Sequence, residues 1–212
     1  PIGLYRIFWS LLILQTFLIH VNGDYLNWYG TDSVITIESI KQYFWWNQPR
    51  FDILLMLPRD DFWLSVYYAS FIIATIFSAL GLATRYSIAY VVLGIISFHN
   101  HMPFNINGGD TFLRLVGIFL LFSSCDKAFS LDNYIARKRG LKIPEKASPW
   151  GQRMIQIQLA IAYCDTFWCK FSGVQWLDGT AVYYATHLDD LRRIPLPFLF
   201  ENLFFCKLLS WF

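Results

Sequence analysis

The run from Ile2 to Val21 holds one permanent charge, Arg6, among apolar, aromatic and small residues. A helix that spans a bilayer needs about 20 mainly apolar residues, because its backbone must cross the hydrocarbon layer fully hydrogen-bonded to itself. Similar runs recur from Phe62 to Ala83, from Tyr86 to about His99, from Thr111 to Ser124 and from Trp150 to about Trp168. Another opens at Leu196 and is cut off at Phe212. Charged residues make up 15% of the chain and hydrophobic residues 56%, against nearer a quarter charged in a soluble domain. A soluble protein of 212 residues buries a good core but not this much apolar surface. The expected fold class is therefore an all-α integral membrane protein, a polytopic helical bundle with five spans plus the start of a sixth. The chain starts at Pro1 and ends within an apolar run. It reads as one domain over residues 1–212, truncated at its C-terminus.

The connecting segments carry the topology. Asn22 to Asp61 is polar and aromatic, and Trp28, Tyr29 and Trp45 suit a membrane surface, where an apolar ring meets water at its polar edge. Thr31-Asp32-Ser33 reads as the cap of a short helix through Tyr43, and Pro49 and Pro58 punctuate the rest. Lys127, Arg137, Lys138, Arg139, Lys142 and Lys146 fill the loop after the fourth run, Arg85 follows the second, and 100–110 has no Lys or Arg. Positive charge stays on the cytoplasmic side. The N-terminus and the 126–149 loop are thus expected inside, with 22–61, 100–110 and 169–195 outside. Net charge is +2, and the basic loop reads as a topology signal rather than a nucleic-acid patch. The lipid bilayer is the expected partner, and no nucleic acid is.

Ionisable groups at membrane depth cost several kcal/mol, of order 3 or more, unless paired or beside water, so they are the candidate functional positions. Arg6 reads as snorkelling or structurally paired ahead of functional. Asp110 is placed to cap the fourth run, and Arg114 lies four residues on, on the same helix face. The two either pair or line a polar cavity, and both readings stay open. His99 and His101 crowd the end of the third run, with Pro103 just beyond. They read as a solvated helix end, or as a general base or hydrogen-bond donor. Asp165 and Lys170 lie among Cys164, Phe167, Trp168 and Phe171. A lysine there either snorkels or has a lowered pKa that makes it a base. The four cysteines (Cys125, Cys164, Cys169 and Cys206) lack metal-ligand spacing and read as apolar filler. No metal site is expected.

Six segments in register add a second line of argument: Leu4-Tyr5-Arg6-Ile7-Phe8-Trp9, Tyr29-Gly30, Leu80-Gly81-Leu82-Ala83-Thr84-Arg85, Asn107-Gly108-Gly109-Asp110, Ser130-Leu131-Asp132, and Lys170-Phe171 before Trp176-Leu177-Asp178-Gly179-Thr180-Ala181. Their order resembles the HTTM family, the transmembrane domain shared by vitamin K-dependent gamma-carboxylase and many bacterial proteins. The resemblance implies a bacterial inner-membrane protein with a polar chamber on its outer side. A lysine, here Lys170, would act there as base on reduced vitamin K or another quinol. Asp110, His99 and His101 would join it as catalytic residues, and Arg114, Asp165 and Trp176 would bind substrate. The chain departs from the carboxylase in reading Cys169-Lys170 for a lysine pair, in carrying Asp110 where a histidine is expected, and in lacking the later spans and the large outer domain. Two functional readings follow. One is a carboxylase-like lyase or quinol-dependent oxygenase that modifies exported peptides. The other is a non-catalytic membrane subunit or maturation partner of a larger assembly.

Overall fold

The computed structural model describes residues 2–45, 49–141, 148–188 and 200–211. Lys142 and Lys146 of the basic loop, the end of the 169–195 segment and the start of the sixth apolar run lie outside the described residues. The chain divides into two compact units, Pro1–Ile155 and Gln156–Phe212.

In the first unit α1 (Ile2–Gln15) runs on into a wider turn of π-helix, Thr16–Val21. Short helices α2 (Tyr25–Tyr29) and α3 (Ile37–Tyr43) and a 3-10 turn, Ile53–Met56, lead to α4 (Asp61–Leu80), α5 (Thr84–His101), α6 (Gly108–Leu121) and α7 (Leu131–Lys138). α8 (Trp150–Phe171) starts here and carries the boundary between the units. Side-chain caps set several starts: Asp60 accepts from Phe62 N at 2.9 Å to open α4, and Thr36 accepts from Ser39 N to open α3. α1 packs on α4, α4 on α5, and α5 on α6. Phe17, Phe71 and Phe98 form the centre of the core, with Phe17 ring centroids 4.6 Å from Phe71 and 5.0 Å from Phe98. These tilted contacts suit the quadrupoles of the rings. Gly94 lets α5 approach α4, since a Cβ there would lie 2.5 Å from the Phe71 ring. Other large apolar side chains, among them Phe8, Ile19 and Ile73, are exposed.

One latch ties the ends of these helices together. Arg6 is fully buried, and its guanidinium donates to the carbonyls of Cys125 (2.7 Å) and Phe129. α4 stops at Gly81, whose φ of 69° is left-handed. A side chain there would also strike Ser130 and Arg6 Nη1. The Asp132 carboxylate accepts from Ala83 N (2.9 Å), Thr84 N (2.8 Å) and Thr84 Oγ1 (2.7 Å), so α7 holds the α4–α5 turn. Partial burial works against the Asp132 charge, but these hydrogen bonds and Arg6 hold its pKa below the ordinary value. Arg6 is therefore buried rather than snorkelling, and among the described residues its partners are main-chain carbonyls rather than an acid.

In the second unit α9 (Val174–Leu177), α10 (Ala181–His187) and α11 (Leu203–Trp211) follow the end of α8. α10 packs on α11, where Ser210 Oγ accepts from Val182 N at 3.1 Å and Trp211 Nε1 donates to Leu177 O at 3.2 Å.

The helices lie where the apolar runs placed them, but the polytopic reading is overturned. Among the described residues two helices, Ile2–Ile19 and Asp61–Leu80, are long and apolar enough to cross a membrane, not five. α6 has 14 residues, which rise about 21 Å against a hydrocarbon core of about 30 Å. α5 ends in His99, Asn100 and His101, and α8 carries Arg153, Asp165 and Lys170 with three glutamines. The five-crossing topology goes with this correction. So do the sidedness of the N-terminus and of 22–61, 100–110, 126–149 and 169–195, the inner-membrane location, and the bilayer and membrane subunits as partners.

Replacing Arg6 with Met leaves the buried carbonyl of Cys125 and the part-buried carbonyl of Phe129 without this donor. It is expected to lower stability by about 3 kcal/mol, read as a lower midpoint in urea or heat denaturation.

Candidate acid–base site

The last turn of α5 gathers the most organised polar cluster. Ser97 and His101 are four residues apart on one helix, so they share a face. The segment from Phe51 lies against that face. Asn100 Nδ2 donates to Phe51 O at 2.8 Å, Trp45 Nε1 donates to Asn100 O at 3.0 Å, and Ser97 Oγ accepts from Ile53 N at 2.7 Å. These bonds lower Asp52 into the interior, where its side chain has 0% exposure.

Asp52 uses both carboxylate oxygens. Oδ1 accepts from Ser97 Oγ at 2.7 Å and from Leu54 N at 2.9 Å. Oδ2 lies 2.7 Å from His101 Nδ1. An ionised carboxylate can only accept, so Nδ1 is the donor in this contact, and in the neutral imidazole that leaves the lone pair on Nε2. His101 lines a cleft of about 500 Å³. Leu54, Leu57 and Leu64 supply apolar wall, while Lys41 and Glu38 supply charge. Glu38 is already paired with Arg59, 3.6 Å away in an exposed position.

Tyr29 lines the same cleft. Its ring centroid is 5.9 Å from that of His101, and it meets Phe98 edge-on at 5.1 Å. Burial, then Tyr68 and the carboxylates of Asp110 and Asp52, push the phenol well above its ordinary value and keep it protonated. Among the described residues nothing hydrogen-bonds the Tyr29 hydroxyl. Ser97 is not arranged as a nucleophile, because its hydroxyl is turned to Asp52 and to Ile53 N rather than to an imidazole.

The sequence-derived site residues fall in different places. α5 continues to His101, which is buried rather than solvated. His99 lies in the same turn, its Nδ1 buried and without a hydrogen-bond partner among the described residues. Burial holds the His99 imidazole down at about 4; Asp110 works against that and Arg114 adds to it. Asp110 is not the cap of α6. Asn107 is, and the two close a capping box, Asp110 Oδ2 accepting from Asn107 N at 2.9 Å and Asn107 Oδ1 from Asp110 N at 3.1 Å. Among the described residues Asp110 and Arg114 form no ion pair. Asp165, Lys170 and Trp176 belong to the second unit. Lys170 is exposed, with its ammonium 4.3 Å from the centre of the Trp176 ring, a cation–π distance. Sequence reasoning missed Asp52, Ser97 and Tyr29 as site residues. The one signal for Asp52 is a lone acid directly before the apolar run Ile53–Leu57.

No family model, curated protein or solved structure matches this chain. The resemblance to the HTTM family is thereby overturned, since it covered nearly the whole chain and a member would meet the family model. The carboxylase-like lyase, the quinol oxygenase and the membrane maturation subunit lose their support with it.

The position of His99 has a consequence for stability. Its pKa falls from 6.5 in the unfolded chain to about 4 in the folded one. Between those values the unfolded state binds the extra proton. Its contribution is full above pH 6.5 and is lost as pH falls toward 4. The thermal midpoint is expected to drop across that window, and His99→Leu to flatten the drop.

Proposed function

We propose that the first unit is a proton-transfer enzyme that acts on a small molecule held in the cleft, with His101 as the general base and Asp52 as its positioning residue. The observation that supports this reading is the fully buried Asp52 carboxylate, 2.7 Å from His101 Nδ1 at the wall of a cleft of about 500 Å³. That volume suits a small-molecule ligand. Nε2 takes a proton from a water or hydroxyl, and the positive ring that results is stabilised by the carboxylate behind it. Ser97 fixes the Asp52 rotamer, and the backbone bonds of Ile53 and Leu54 keep the carboxylate from turning away. Lys41 and Arg59 line the cleft together with the acids Glu38, Asp60 and Asp61, and Leu54, Leu57 and Leu64 receive apolar substrate atoms.

The test is turnover of chromogenic esters and phosphoesters by the full chain and by His101→Asn and Asp52→Asn. His101→Asn is expected to lower kcat by about 100-fold or more. Asp52→Asn, which disturbs the tautomer, is expected to have a similar effect. Thermal midpoints separate lost chemistry from lost folding. A folded His101→Asn protein that turns over at the unaltered rate sinks the proposal.

A further inference from the structure

Tyr29 and His101 both line the cleft, and the acid–base reading uses only His101. The Tyr29 and His101 ring centroids are 5.9 Å apart, near enough for both side chains to reach neighbouring atoms of one ligand. Tyr29 is fixed from behind by Phe98, and the backbone on its far side is tied down, Gly30 N donating to Leu26 O at 2.8 Å. A side chain at position 30 would lie 2.4 Å from that carbonyl, so the turn beside Tyr29 is closely fitted. Among the described residues the fold makes no use of the Tyr29 hydroxyl. The phenol thus stands at the cleft wall beside an Asp-held histidine, with no hydrogen-bond partner among the described residues.

We infer that Tyr29 is the hydrogen-bond donor to a substrate carbonyl oxygen, and that the substrate class is a small carboxylic ester with an apolar acyl or alkyl arm. This rests on the reading of His101 as the base. His101 Nε2 removes a proton from water as the water oxygen bonds to the carbonyl carbon. The π electrons of the carbonyl move to its oxygen, and the Tyr29 O–H stabilises the negative charge there. When the intermediate collapses, the C–O bond to the leaving group breaks with its electron pair. The proton on His101 passes to that oxygen, giving a carboxylic acid and an alcohol. The step consumes one water and needs no oxidant or reductant. Leu54, Leu57 and Leu64 are the surface for the apolar arm. A hydrogen bond that strengthens as charge develops acts on kcat rather than on KM.

The experiment follows hydrolysis of 4-nitrophenyl butyrate by the full chain, by Tyr29→Phe and by His101→Asn, with thermal midpoints for each. Tyr29→Phe keeps the ring and its packing and is expected to leave the midpoint unchanged. It should lower kcat by about 100-fold with KM within about twofold. If His101→Asn abolishes turnover while Tyr29→Phe keeps the full kcat, or raises KM alone, the role of Tyr29 is overturned and the base stands. If the unaltered chain hydrolyses the ester no faster than free imidazole, or His101→Asn matches it, both readings fall.

Discussion

The buried guanidinium of Arg6 is the interaction on which the first unit depends. A permanent charge in the interior is costly unless its donors find acceptors. Here Nη1 and Nη2 reach the main-chain carbonyls of Cys125 and Phe129, beyond the end of α6, while Nε is buried without a partner among the described residues. α1 is thus joined to a stretch of chain more than a hundred residues away, and that stretch leads into α7, which grips the α4–α5 turn through Asp132. Burial pushes the Arg6 guanidinium below its ordinary value, and Cys125, Asp132 and Asp126 work against that push. Arg6 and Asp132 together register these helix ends, and Gly81 is glycine both for its left-handed backbone and because Arg6 and Ser130 occupy the space beside it.

At the opposite end of α5 the same logic recurs with a different residue. Asp52 is buried, and its acceptor capacity is met by a main-chain N–H, a serine hydroxyl and an imidazole. The helix therefore runs between two polar fixtures, with the Phe17, Phe71 and Phe98 rings packed between them. The apolar centre gives the unit its cohesion, and the fixtures set the register of the helices. The Asp52 fixture opens onto a cleft through His101.

Much of the fold was legible in the sequence. Each of the five main apolar runs became a helix, because length and residue type speak directly to helix formation. What hydropathy does not report is the partner of an apolar face. Phe71, Ile95 and Phe98 are as apolar as lipid-facing residues, yet they are buried against one another. Length then decides for α6, and interrupting polar residues decide for α5 and α8. The motif segments were legible as punctuation but were misread as family marks. Arg6, the Gly81–Thr84 turn and Ser130–Asp132 meet in one latch, and Asn107 with Asp110 is a capping box, so local physical chemistry accounts for their presence. His101 stood out as a candidate, but Asp52 did not. Nothing in sequence spacing signals that a residue 49 positions earlier, in a segment between two prolines, will fold onto the same helix face.

The double engagement of Asp52 bears on how this site would behave under mutation and drift. The carboxylate that orients His101 also anchors the Phe51–Leu57 segment to α5, so selection for a folded chain alone would hold Asp52 and Ser97 in place. A lineage without the proposed chemistry would be free to lose the Tyr29 hydroxyl first, and would keep Asp52 with the groups that satisfy it, His101 included. Retention of the acid would then record architecture, and retention of the phenol would record use.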